Sequence, residues 1–261
     1  YPNLFPVSNA LDAARELAIR SLIERAPFAQ TLAQAFKAKG FKLALVGGPV
    51  RDAILGRLGN DLDFTTDARP EVTKDILKNW AEHIWDTGIE FGTIAGKRGD
   101  TTVEITTYRS DKYDPSSRKP EVEFGDNIEG DLSRRDFTVN AMALELTGDK
   151  PLFIDVFNGV QDLGAKILRT PVSPEQSFSD DPLRMMRAAR FAAQLNFEVE
   201  DSALKAMHDM AERINIISAE RVRDELIKLL MSSQPRKGIE ILVATGLADL
   251  VLPEIPKLKL E

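Results

Sequence analysis

Two glycines and a proline, Gly47-Gly48-Pro49, stop the apolar run Phe41–Val46 and open a short helix, and about thirteen residues later comes Asp61-Leu62-Asp63-Phe64. This strand, glycine turn, helix and acidic strand in succession constrain the fold more than any other part of the chain. Side chains in a strand alternate faces, so Asp61 and Asp63 point the same way, with Cα atoms roughly 6.5–7 Å apart. Two carboxylates at that spacing can hold two magnesium ions about 4 Å apart, one for an attacking hydroxyl and one for leaving phosphate oxygens. The glycines let backbone N–H groups approach a phosphate, and the helix start adds partial positive charge. The bland alternative is a pair of acids that caps a turn and solvates a strand end. Together with the glycine turn, the pair points to phosphoryl transfer involving a nucleotide.

Composition narrows the field. The chain has 261 residues, 43% of them apolar, enough for one large or two modest packed domains. With no cysteine there is no disulfide, no thiol catalysis and no cysteine-bound metal, and His83 and His208 are too few for a histidine metal cluster. No apolar run approaches the 18 residues or so of a membrane span, the first residues do not read as a signal peptide, and a cytoplasmic location is expected. A start at Tyr1 reads as a piece of a longer protein. The net charge of −7 argues against indiscriminate nucleic-acid coating, but not against an enzyme that grips one nucleic-acid end.

Periodicity divides the chain. Residues 10–39 read as two helices, Phe41–Val46 as a strand, Pro49–Leu55 as a helix and Leu62–Thr65 as the acidic strand. A helix capped by Asp67 follows. Strands are predicted at Phe91–Lys97, Thr102–Tyr108, Ala141–Leu146 and Leu152–Val156. Ser110–Gly130 is polar and reads as a loop with one strand near Val122–Phe124. From Pro174 to about Leu250 the period is helical. The expected class is α+β: N-terminal helices over 1–40, a catalytic mixed-sheet domain with flanking helices over 41–170, a helical segment over 171–231, and the start of a further helical part over 232–261.

Three further constellations carry chemistry. Glu104, alternating with apolar neighbours in Val103–Arg109, completes a three-carboxylate cluster if its strand lies beside that of Asp61 and Asp63; otherwise it is an outward-facing strand acid. Arg134-Arg135-Asp136-Phe137-Thr138-Val139-Asn140 sets guanidinium forks, an orienting acid and an amide among apolar residues, suited to phosphate and ribose oxygens or to a structural ion-pair knot. In Asp181-Pro182-Leu183-Arg184, the acid and arginine three apart are read as sharing a helix face. Cytosine and adenine both present an amino donor beside a ring-nitrogen acceptor, so an acceptor–donor pair fits them and mismatches uracil and guanine. A good two-point contact gives about 1–3 kcal/mol of discrimination. Arg187 and Arg190 continue the row toward a triphosphate. The alternative is an N-cap at Asp181 followed by a solvated arginine stripe.

These motifs, with Ser218-Ala-Glu-Arg-Val-Arg-Asp-Glu-Leu226, resemble the class II tRNA nucleotidyltransferase (CCA-adding enzyme) and bacterial poly(A) polymerase family, in family order across residues 44–230. The resemblance implies a DNA polymerase beta-like nucleotidyltransferase head followed by an all-helical neck and body. It implies that Asp61 and Asp63 ligate magnesium with Glu104 as third acid, and that Gly47, Gly48, Arg51, Arg135, Asp136 and Asn140 serve the nucleotide with Arg187 and Arg190. Asp181 and Arg184 would pair with the base. CTP, ATP and the tRNA 3′ end would be the substrates, with no membrane partner. The motif departs slightly from the family, with Asp180-Asp181 where Glu-Asp is usual. The chain also stops before the body and tail expected of such enzymes, from which weakened tRNA binding is expected. A loop of full length after the Glu104 strand, carrying Tyr113 and Arg118, argues against CC-only addition and is the expected lever for switching from C to A. The reading is CCA addition; the alternatives are A addition or poly(A) synthesis, a non-catalytic RNA-binding relative, and a small-molecule nucleotidyltransferase, for which the helical half has no use.

Overall fold

The computed structural model describes residues 7–112, 121–125 and 127–257, which divide into two compact units. The first gathers the described parts of 1–112, 121–135 and 139–161; the second gathers 136–138 and the described part of 162–261.

In the first unit, α1 (Val7–Arg25) and α2 (Phe28–Ala38) precede β1 (Ala44–Val46), α3 (Gly48–Ile54), β2 (Asp61–Thr66) and α4 (Pro70–Lys78). Then come β3 (His83–Trp85), β4 (Thr93–Arg98) and β5 (Thr101–Thr107), the two-stranded pair β6 (Arg109–Lys112) and β7 (Glu121–Phe124), and α5 (Ile128–Ser133). The strands β8 (Ala143–Glu145) and β9 (Leu152–Ile154) complete a seven-stranded mixed sheet of order β3-β4-β5-β2-β1-β8-β9. Only β2 and β5 pair in parallel within it. Phe36, Leu43, Leu45, Leu62, Phe64, Ile94, Ile105 and Leu132 are fully buried in this unit, each giving about 1.5–3 kcal/mol relative to exposure. Helix α1 is tied to α3 by Ser21 Oγ, which donates to the Ala53 carbonyl at 2.7 Å.

The second unit follows α6 (Gly159–Ala165), whose length spans the boundary, with β10 (Ile167–Leu168), α7 (Pro174–Asp180), α8 (Leu183–Leu195) and β11 (Glu198–Val199). Its remaining α-helices are α9 (Asp201–Asp209), α10 (Ala219–Leu230), α11 (Pro235–Ala244), α12 (Leu247–Val251) and α13 (Glu254–Lys257). Helix α8 is its centre, buried along most of its length and packed by α10 and α11. A side chain at Gly238 of α11 would come within 2.9 Å of the Ala189 carbonyl oxygen and of Leu229, so the close approach of α11 to α8 depends on that glycine.

The α+β class holds, with local corrections. Asp67 does not cap α4: its carboxylate accepts the Lys42 N–H at 2.7 Å. Arg69 is instead held extended before Pro70, which occupies the first helical position. The polar stretch after Tyr108 holds the expected strand, as β7, and two elements that were not expected, β6 and α5. Backbone pairing of β6 with β7 needs no apolar alternation, and Asn127 caps α5 by accepting the Gly130 N–H at 2.8 Å. Tyr113 and Arg118 lie outside the described residues. The helical half is interrupted by β11, which pairs in parallel with β10. The edge strand β3, three residues long, was too short for its alternation to register.

Candidate active site

The sequence-predicted residues fall into two sets, one in each unit. In the first, Leu62 and Phe64 of β2 are buried while Asp61 and Asp63 between and before them are exposed, so both acids face one side of the sheet. The parallel register sets Asp63 directly opposite Glu104, which is exposed between buried Val103 and Ile105. The expected three-carboxylate cluster does not close: among the described residues, no three or more histidine, cysteine, aspartate or glutamate side chains gather as a metal cage. Neighbouring carboxylates repel, and nothing in the strand geometry forces them onto one point. The donor chemistry still fits magnesium, a hard cation held by one or two carboxylates plus substrate phosphates rather than by an all-protein cage.

Gly47 connects β1 to α3 at φ 79°, ψ −140°, a conformation left to glycine. A Cβ there would lie 2.7 Å from Nη1 of Arg135, so the guanidinium packs directly against the turn. Arg51, one turn into α3, is buried. Its Nη1 donates to Asn140 Oδ1 at 2.6 Å, and its Nε and Nη2 form a two-point pair with Asp52. Arg51 and Asn140, 89 residues apart, are thus joined beside the glycine turn.

The orienting acid for the arginine pair is not the one expected. Asp136 turns to Arg187, accepting from Nε at 2.8 Å and Nη2 at 2.5 Å. Asp131, which the sequence reading missed, binds both Arg134 and Arg135 from the last turn of α5. Its signal was the spacing of three and four residues to the two arginines. Full burial pushes the Asp131 carboxyl up, but the two guanidinium groups outweigh burial and hold it below the usual aspartate range.

In the second unit, Asp181 and Arg184 do not share a helix face. Asp181 is extended at φ −142°, as a residue before proline prefers, and α8 begins only at Leu183. One Asp181 oxygen accepts the Leu183 N–H at 3.1 Å and the other accepts from Arg221 at 3.1 Å. Arg184 is only 6% exposed and donates to the hydroxyl of Ser177 at 2.9 Å. The stripe is not solvated either. Arg190 is buried against Glu225 and lies over the Phe191 ring, its centre 4.0 Å away. Burial, with neighbouring Arg187 alongside, lowers its pKa against the opposing pull of Glu225 and Asp136. For Arg187, burial also acts to lower, but Asp136 and then Glu225 prevail and the pKa is raised. Glu225, read in the sequence only as part of the 218–226 motif, is the partner that holds Arg190.

The mixed sheet with its glycine turn and same-faced acids in the first unit, and the helical second unit, have the fold class of DNA polymerase beta-like nucleotidyltransferases. Residues 43–169 match the poly A polymerase head domain, and residues 196–258 match the probable RNA and SrmB-binding site of polymerase A. The chain belongs to the tRNA nucleotidyltransferase and bacterial poly(A) polymerase family. More particularly, it is 41% identical over 228 residues to the CCA-adding enzyme of Lactobacillus helveticus (strain DPC 4571), covering 87% of this chain and 54% of that one. The structure of the Bacillus stearothermophilus CCA-adding enzyme in complex with CTP matches with a TM-score of 0.74 and 35% identity, over 85% of this chain and 53% of that one. The Thermotoga maritima CCA-adding enzyme complexed with tRNA matches with a TM-score of 0.75 and 27% identity, over 91% and 56%. The chain spans about half the length of the curated relatives it matches. No helix among the described residues is long and apolar enough to cross a membrane.

Proposed function

We propose that this chain catalyses addition of C, C and A to the 3′ end of tRNA from CTP and ATP, without a nucleic-acid template. The observation that carries the reading is the register of β2 and β5, which sets Asp61, Asp63 and Glu104 on one exposed face. The 3′ hydroxyl oxygen attacks the α-phosphorus in line, a new P–O bond forms, the bond to the β-phosphate bridge breaks, and pyrophosphate leaves. Glu104 polarises the attacking hydroxyl. Asp61 and Asp63 would hold two magnesium ions, which supply positive charge to the attacking and leaving oxygens. In the first unit, Gly47, Gly48, Arg51 and Arg135 receive the triphosphate and Asn140 serves the ribose; in the second, Arg187, held in place by Asp136, and Arg190 are assigned to the nucleotide.

Base choice falls to Asp181 and Arg184. A carboxylate has about four acceptor sites, so Asp181, with one bond on each oxygen, keeps capacity for the amino group of cytosine or adenine. Arg184 donates to the adjacent ring nitrogen. A second reading, A addition or poly(A) synthesis, is favoured by the poly A polymerase head-domain match. One assay separates them: labelled CTP, ATP and UTP offered with magnesium to tRNA lacking its 3′ end. Ordered addition of two C and one A, with UTP refused, is expected. A incorporation without preceding C would install the second reading, and no incorporation by folded protein would point to a binding-only relative. Asp61→Ala is expected to abolish turnover while only partly weakening CTP binding, measured by calorimetry.

A further inference from the structure

The acids of β2 and β5 do not occupy their face alone. Register partners in adjacent strands point the same way. Asp63 stands opposite Glu104, Glu104 opposite Ala95, and Ala95 opposite Trp85. A second row runs beside it through Asp61, Thr102, Lys97 and His83. The opposite face is closed by α4: a Cβ on Gly96 would meet Ala81 at 3.2 Å and Leu77 at 3.4 Å. The open face therefore begins with two carboxylates and ends, three interstrand steps and roughly 14 Å away, in an indole. Trp85 is 44% exposed, and the exposed His83 ring lies beside it with centroids 6.3 Å apart.

A lone exposed aromatic needs no explanation. This one ends a row that starts at the residues assigned to nucleotidyl transfer, with a lysine in the row alongside. Bases of single-stranded nucleic acid stack on such side chains, while cations beside them meet the backbone phosphates. A distance of roughly 14 Å is about four stacked base steps of 3.4 Å. We propose that Trp85, flanked by His83 and Lys97, is a stacking subsite for the single-stranded 3′ end of the acceptor RNA, gripping a base a few nucleotides before the terminal hydroxyl. The proposal rests on the nucleotidyl-transfer reading and extends it from the nucleotide to the acceptor strand. Trp85 acts as a positioning residue.

The test has two arms. In steady-state transfer, Trp85→Ala is expected to raise the KM for the acceptor RNA at least fivefold, the lower end of a lost base stack, with little change in kcat or in the KM for CTP. Trp85→Phe should restore most of the loss. In the second arm, without CTP or ATP, a short single-stranded RNA ending in CC is titrated while tryptophan fluorescence is read. The chain has two tryptophans, and Trp80 is buried. Quenching is expected for the unaltered chain and for Trp80→Phe, and its loss for Trp85→Phe. If no RNA is extended at all, the transfer reading fails while quenching still reports on the subsite. An acceptor KM within twofold of the unaltered value in Trp85→Ala overturns the proposal. So does an equal loss in Trp85→Phe, or quenching that survives removal of Trp85.

Discussion

A single backbone position carries unusual weight in the glycine turn. At Gly47 both the backbone angles and the guanidinium of Arg135 exclude a side chain, so Gly47→Ala is expected to cost about 1–3 kcal/mol from the backbone alone, seen as a lower urea midpoint. Displacing Arg135 should depress nucleotide transfer as well. Asp131 gives a pH signature. Its pKa is held below the unfolded value, so its contribution is complete above the ordinary aspartate pKa of about 4 and is lost as pH falls through the lower folded value. The stability gap between the unaltered chain and Asp131→Asn should be flat from neutral pH down to about 5 and should narrow below about 4 in chemical denaturation. At this scale the sequence showed residue types but not their partners. The apposition of Arg135 and Gly47 was invisible, and Asp136 was matched to its neighbours in the chain instead of to Arg187, 51 residues on.

Elements were more legible than contacts because they are written in local period. The acidic strand and the glycine-opened helix stand within a residue of where alternation and the Gly-Gly-Pro punctuation place them. Where backbone pairing or a proline decides the outcome, the pattern was silent or ambiguous. This is so for β6, which has no apolar alternation; at Asp181 the pattern offered both a helix face shared with Arg184 and a cap before Pro182, and the extended backbone excludes the first. Helix α8 owes its buried Arg190 to α10. Glu225 is 4% exposed and partners Arg190, itself 7% exposed. Removing one member of a buried pair leaves an uncompensated charge, so Glu225→Ala is expected to destabilise by about 3–5 kcal/mol, a large downward shift in unfolding midpoint. Arg184→Ala belongs to this scale too. It should blur the preference for C and A over U by about 1–3 kcal/mol, roughly fivefold or more in relative kcat/KM, and competition between labelled CTP and UTP would reveal it.

In the sheet-bearing unit, the core is apolar side chains packed between helices and sheet, and the acids assigned to magnesium lie on an open face outside it. Chelation with EDTA should therefore stop transfer while leaving circular dichroism unchanged, and added magnesium should restore activity. Loss of the fold on chelation would instead make the ion structural. The sheet has one more property at this scale. Both of its outermost strands, β3 and β9, are only three residues long. A foreign strand arriving at either rim would find a template of a few amide and carbonyl groups, too brief to hold it. Exposed Trp85 at one rim and exposed Leu152 at the other thus sit where stickiness has no ladder to grow along, and the seven strands are protected from recruiting an eighth.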